Sequence, residues 1–204
     1  MKKWVLSVIC ILVMTILLSP SLRAEIGFKG GLNFANQSWS AEGISLSMTS
    51  VQEPIFGAFY LARVGKYFAI QPEVIYSQKG TKYEILDESL KIRLSYLEIP
   101  VLVKFYVTPE GKAQPFLFAG PALGIKLSAK GIVDGESEDI SDEYKGTDFG
   151  LVFGGGLEYD LGKALFIVDL RYSLGLANII VEEEPDIEAT VKNKAFVVMI
   201  GFGF

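Results

Sequence analysis

From residue 25 onward the apolar residues of this chain recur at every second position, in eight separate stretches. Successive side chains of a strand point to opposite faces, so this period marks extended chain with one apolar and one polar side. No stretch after residue 24 holds the run of about eighteen apolar residues that a membrane helix needs. Yet half of the residues are hydrophobic. The strands are predicted at about 25–36, 54–64, 67–80, 91–108, 114–127, 147–161, 164–177 and 195–204. The fourth reads most plainly, with Leu97, Ile99, Val101, Val103, Phe105 and Val107 opposed to Glu98, Lys104 and Tyr106. In the sixth, Phe149, Leu151, Phe153, Leu157 and Tyr159 oppose Asp148, Gly150, Gly154, Gly156 and Glu158. The second is apolar in both phases, which leaves its orientation open.

The connections alternate in length. Gly65-Lys66, Pro109-Glu110-Gly111-Lys112 and Gly162-Lys163 are tight, whereas 37–53, 81–90, 128–146 and 178–193 are long. Alternating short and long connections are the pattern of an outer-membrane barrel with tight periplasmic turns and long outer loops. In a soluble barrel the apolar face points inward, and in a membrane barrel it meets lipid. Here the apolar face is wide and aromatic, while the other carries glycine, serine and charges of both signs, too few for a solvated surface. The fold class expected is therefore all-β, an eight-stranded antiparallel up-and-down transmembrane β-barrel in the outer membrane of a Gram-negative bacterium.

Residues 1–24 read as a cleaved signal peptide and 25–204 as the barrel. Lys2 and Lys3 precede an apolar run from Trp4 to Leu18, and small residues end at Ala24. The only cysteine, Cys10, leaves with that segment, so no disulfide or thiolate site is expected. Losing Lys2, Lys3 and Arg23 takes the net charge from −5 to −8, which argues against a nucleic-acid partner. The chain has no histidine, so Ser-His-acid triads and histidine metal sites are excluded. Gly154-Gly155-Gly156 lies in a strand pattern and opens no helix, so it is not a phosphate loop. No catalytic, cofactor or metal residue is expected, and no cofactor.

Tyr96-Leu97-Glu98-Ile99-Pro100, Gln71-Pro72-Glu73, Tyr76-Ser77-Gln78-Lys79-Gly80, Phe118-Ala119-Gly120-Pro121 and the aromatic C-terminal strand occur in a fixed order. Together they resemble the PorT-type outer-membrane β-barrel proteins, often called porin family proteins, of Bacteroidetes-like bacteria. The resemblance covers essentially the whole mature chain and implies an outer-membrane barrel of about eight strands. The word porin in that label is not evidence of a pore.

Glu73, Glu98, Lys104, Glu158, Asp169 and Arg171 form the candidate lumen charge network, joined by Lys29 and Lys126. Two readings compete for it: an ion path, because ionisable groups at membrane depth often mark one, and a plug of paired charges filling a narrow bore. Pro72, Pro100 and Pro121 sit inside strands and remove ladder donors, which predicts bulges there, with a gate hinge as the other reading. Asp134, Glu136, Glu138, Asp139, Asp142 and Glu143 in one loop, and Glu182, Glu183, Glu184, Asp186 and Glu188 in the last, read as solvated loops or as Ca²⁺ or basic-partner sites. Val198, Ile200, Phe202 and Phe204 resemble the terminal signal read by the barrel-assembly machinery. The partners expected are outer-membrane lipid, that machinery, and an extracellular or periplasmic protein. The function expected is a non-enzymatic structural or interaction role, with a small-solute or ion channel and a lipocalin-like soluble binding barrel as alternatives.

Overall fold

A computed structural model describes residues 24–41, 44–47, 49–85, 88–133, 135–181 and 189–204. The leader up to residue 23, Asp134, and the acidic residues 182–188 lie outside the described residues. Ten strands follow in chain order: β1 (Ala24–Ala41), β2 (Ile44–Ser47), β3 (Val51–Val64), β4 (Phe68–Ile85), β5 (Glu88–Tyr106), β6 (Ala113–Val133), β7 (Glu136–Asp139), β8 (Thr147–Asp160), β9 (Leu165–Gly175) and β10 (Ala189–Gly203). Eight of them are long, and each pairs antiparallel with its neighbours. β10 pairs with β1 from Gly27↔Gly203 to Ala41↔Ala189, which closes the barrel and leaves no open edge in its wall. The remaining two, β2 and β7, are four-residue strands that pair with β1 and β6 at the loop end.

The three tight turns each carry a glycine with positive φ, Gly65 at 76°, Gly111 at 95° and Gly162 at 87°. Left-handed backbone of this kind disfavours any residue with a Cβ, so these glycines hold the hairpins closed. At the opposite end the strands run further than their sequence pattern indicates. β4 and β5 stay paired up to Ile85↔Glu88, so 81–85 and 88–90, expected in a long loop, continue the two strands. Strands of 18 to 21 residues, β1, β4, β5 and β6, exceed the roughly 9–11 residues a tilted membrane strand requires. The surplus length, at the end away from the tight turns, extends past what the hydrocarbon layer requires. The period of two continues into that surplus length, so periodicity alone does not mark where the hydrocarbon layer ends.

The expected bulges at the prolines are absent. Pro72↔Val101, Pro100↔Ala122 and Pro121↔Leu151 lie within constant registers, and pairing resumes in the same register on either side. A proline removes one donor but adds no residue, so the ladder skips a bond without slipping. The register shift between β5 and β6 falls instead between Ser95 and Tyr96, where Leu127 is the extra residue.

The wall is inverted relative to a water-soluble protein. Phe28, Phe56, Val74, Val103, Leu117, Phe153, Leu170 and Ile200 are exposed on the outside, while Lys29, Glu73, Lys104, Glu158, Asp169 and Arg171 are buried inside. The orientation of β3 is settled by its burial: Val51, Glu53, Ile55, Phe59 and Leu61 face in, and Gln52, Pro54 and Phe56 face out. The interior is not uniformly polar. Next to the tight turns lies an apolar layer of Phe59, Leu61, Leu102, Tyr106, Phe116, Phe118, Leu165 and Ile167. A second, with Ala35, Val51, Ile55, Ile75, Val197 and Met199, packs higher in the lumen. A third, with Leu94, Tyr96, Tyr144, Ile179 and Val191, lies under the loop that contains Ser141–Glu143.

Candidate functional site

The side chains that meet in the lumen come from strands far apart in sequence. Lys29 of β1 and Asp169 of β9 flank β10 on either side, at the pairs Lys29↔Gly201 and Met199↔Asp169. Gly201 carries no side chain, and a Cβ there would stand 2.7 Å from the Phe28 carbonyl oxygen and 2.9 Å from Lys29 Cβ, so the glycine lets both the β1 backbone and the lysine pack close. Lys29 Nζ donates to Glu73 Oε1 and to Asp169 Oδ2, each at 2.8 Å. Arg171 completes a four-membered ring: Nη1 donates to Glu73 Oε2 at 2.8 Å, Nη2 to Asp169 Oδ2 at 2.7 Å and Nε to Asp169 Oδ1 at 3.0 Å. The planar guanidinium thus spans two carboxylates and the ammonium bridges the same two.

A second group joins this ring through Gln71, which donates to Glu73 and accepts from Lys104 Nζ at 3.1 Å. Lys104 is ion-paired with Glu158. Glu158 Oε2 also accepts from Tyr106 Oη at 2.9 Å and from Arg63 Nη2 at 2.8 Å. Arg63 in turn approaches Glu25 at the turn end of the lumen. Lys29, Lys104, Arg171 and Arg63 are thereby matched by Glu73, Asp169, Glu158 and Glu25. The apolar layer seals the cations on the turn side: Lys29 lies over Phe59, Lys104 3.6 Å from the Phe116 ring centre, Arg171 over Phe118 and Arg63 over Tyr106.

Of the residues named from sequence, Glu73, Lys104, Glu158, Asp169 and Arg171 share this network, and Lys29 sits at its centre. Glu98 does not. It lies higher in the lumen, where Lys79 pairs with it at 2.7 Å and approaches Asp148 at 4.0 Å. Asn193 donates to Asp148 Oδ2 and to Tyr96 Oη, and Gln37 donates to Asn193. Lys126 joins neither cluster: its Nζ donates to the carbonyls of Ser141 and Tyr144 and pins the loop above β6. Above these, Glu53 pairs with Lys91 and Arg93. Arg63 and Glu53 had no legible face because β3 is apolar in both phases. Lys79 and Asp148 stood on polar faces already, and two unpaired charges of opposite sign at strand ends are the signal that would have found them.

Among the described residues no group of three or more acidic, cysteine or histidine side chains is arranged to hold a metal ion. Chemically, the central network is a buried, charge-balanced block whose acids and cations occupy one another. A buried charge without a partner costs several kcal/mol, and here each is matched across the bore.

The model of the outer membrane protein beta-barrel domain matches residues 18–181. The chain belongs to that family. As an outer membrane beta-barrel domain protein it resides in the outer membrane, and its exposed apolar wall is a lipid face. That inversion sets aside a lipocalin-like soluble barrel, whose apolar side would face inward. The outer membrane protein OprG from Pseudomonas aeruginosa is similar in fold, with 17% identity, a TM-score of 0.55, and coverage of 89% of this chain and 95% of that one. The outer membrane protein AlkL, solved in DMPC bilayers by solid-state NMR, is similar at 12% identity and a TM-score of 0.50, covering 89% of this chain and 90% of that one. No curated protein matches in sequence.

Proposed function

We propose that this outer-membrane barrel is a non-enzymatic structural or interaction protein whose lumen is filled rather than conducting. Its exposed portion, the surplus length of β4, β5 and β6 with the acidic loops, then meets the environment or a protein partner. One observation carries the reading: Lys29, Glu73, Asp169 and Arg171 are all at most 5% exposed and satisfy one another across the bore. A permeation path of an eight-stranded barrel would have to run through that block, since the interior of such a barrel is just wide enough for side chains. Purified protein in planar bilayers is expected to give no reproducible conductance step. Reproducible steps from the unaltered protein, abolished when Arg171 is replaced, would establish the channel instead. The PorT-like motif set supports a finer place within the family along the same lines.

The same reading assigns the apolar face Val198, Ile200, Phe202 and Phe204 to recognition by the barrel-assembly machinery. Its last residue also has a structural task, since Phe204 and Ile26 exchange two backbone hydrogen bonds, at 3.0 and 2.8 Å. Deleting Phe204 is expected to lower folded protein in the outer membrane several-fold, by a heat-modifiable band on gels. Replacing Glu136, Glu138 and Glu143 by glutamine is expected to leave that band unchanged. Normal levels of the deletion would refute the assignment.

A further inference from the structure

We propose that Lys192 and Lys194 form a binding site for the phosphate of an anionic lipid headgroup on the outer side of the membrane. The outward face of β10 runs Phe204, Phe202, Ile200, Val198, Phe196 and then changes abruptly to Lys194 and Lys192. Cross-strand pairs place the change at one level: Phe34↔Phe196 and Phe196↔Tyr172 form an aromatic row, and Asn36↔Lys194 and Ser38↔Lys192 lie immediately above it. The rings of Phe34 and Phe196 are 6.4 Å apart. Aromatic side chains of membrane proteins gather at the lipid–water interface, and long basic chains extend from there toward headgroups. The two lysines therefore stand at headgroup depth, on the side away from the tight periplasmic turns.

Their electrostatic state separates them from the ion-paired lysines inside the barrel. Lys29, Lys79, Lys91 and Lys104 are each paired with a carboxylate. Lys192 and Lys194 have no such partner among the described residues, and they are half-buried. Their cross-strand neighbours are Asn36, Ser38 and Leu174, which bring no negative charge. Two ammonium groups on alternate residues of one strand lie about 7 Å apart at the backbone, a spacing that lets both reach the oxygens of one phosphate. The lipid chains below the phosphate would rest on Phe196, Val198 and Ile200. A headgroup is thus the source that also uses the apolar wall, and a free phosphate is not.

Native mass spectrometry of the whole barrel in neutral detergent, titrated with phosphatidylglycerol or phosphatidylcholine, tests the site. The unaltered protein is expected to retain phosphatidylglycerol in preference. The double variant Lys192→Gln/Lys194→Gln should retain it on the order of tenfold less, with each single variant between the two. Lys192→Arg/Lys194→Arg and the distant Lys145→Gln should behave as the unaltered protein. Heat-modifiable migration confirms that every variant scored is folded. Equal retention by the double glutamine variant would overturn the proposal, as would displacement of the lipid by an equal concentration of inorganic phosphate.

Discussion

Arg171→Met is expected to destabilise the folded barrel by about 3–5 kcal/mol, the cost of leaving buried charges uncompensated. Arg171 makes three hydrogen bonds of 3.0 Å or less to Glu73 and Asp169, and those two carboxylates then share only Lys29 Nζ. Two negative charges then face one ammonium at under 6% exposure, with only the Gln71 amide on Glu73 besides. The measurement is the urea midpoint of the heat-modifiable form in detergent or vesicles, against Lys66→Met as a control. Lys66 and Glu110 also form an ion pair, but their side chains are 77% and 81% exposed, where such pairs contribute almost nothing. A variant replacing Lys29, Glu73, Asp169 and Arg171 together by apolar residues of similar volume should recover most of the loss, because removing a whole buried network also removes its desolvation cost. An unchanged midpoint in Arg171→Met would mean that the lumen is wet. That outcome would revive the ion path.

Gly31→Ala is expected to destabilise by about 3 kcal/mol, the upper end for overpacking, seen as loss of the closed barrel, although it adds a single methyl group. A Cβ at Gly31 would stand 1.9 Å from the carbonyl oxygen of Val198 and 2.8 Å from Met199 Cα. Both are backbone atoms of β10, and β1 pairs with β10 at exactly this level, through Gly31↔Met199 and Leu32↔Val198. Neither strand is free to step aside while the seam remains hydrogen-bonded. The adjacent Gly30→Ala supplies the comparison. A Cβ there meets nothing nearer than 3.7 Å, an ordinary contact, so this variant should fold at the normal level. The readout is the ratio of heat-modifiable to unfolded protein after refolding into detergent. If Gly31→Ala closes as readily as Gly30→Ala, the lumen glycines serve only as space for side chains.

Small residues opposite a bulky face indicate a narrow interior filled by side chains. At Gly201 a Cβ would crowd Lys29 Cβ at 2.9 Å and the Phe28 carbonyl oxygen at 2.7 Å. At Gly31, Gly57, Gly120 and Gly154, however, a Cβ would meet the backbone of the neighbouring strand at 1.9–2.2 Å. Strand curvature imposes this, and curvature depends on closure of the whole sheet rather than on any one strand. The prolines teach a similar lesson in reverse, since a lost donor at Pro72, Pro100 or Pro121 is absorbed without a bulge.

The chain's alternation is a local property, because the pleat sends each side chain to the face opposite its neighbour. That is why eight strands, their lipid and lumen sides, the three glycine turns and the all-β barrel were legible from residues alone, β3 excepted. Which charge meets which was not legible. Lys29 reaches Glu73 forty-four residues away and Asp169 one hundred and forty away, and Glu98 finds Lys79 rather than the central ring. Register between the paired β4 and β5 sets the Lys79–Glu98 contact, and the stagger of the closed barrel brings Lys29 to Glu73 and Asp169 on strands that are not its neighbours in the sheet. Alternation therefore told which face each charge would occupy, and only register and the closure of β10 on β1 decided its partner.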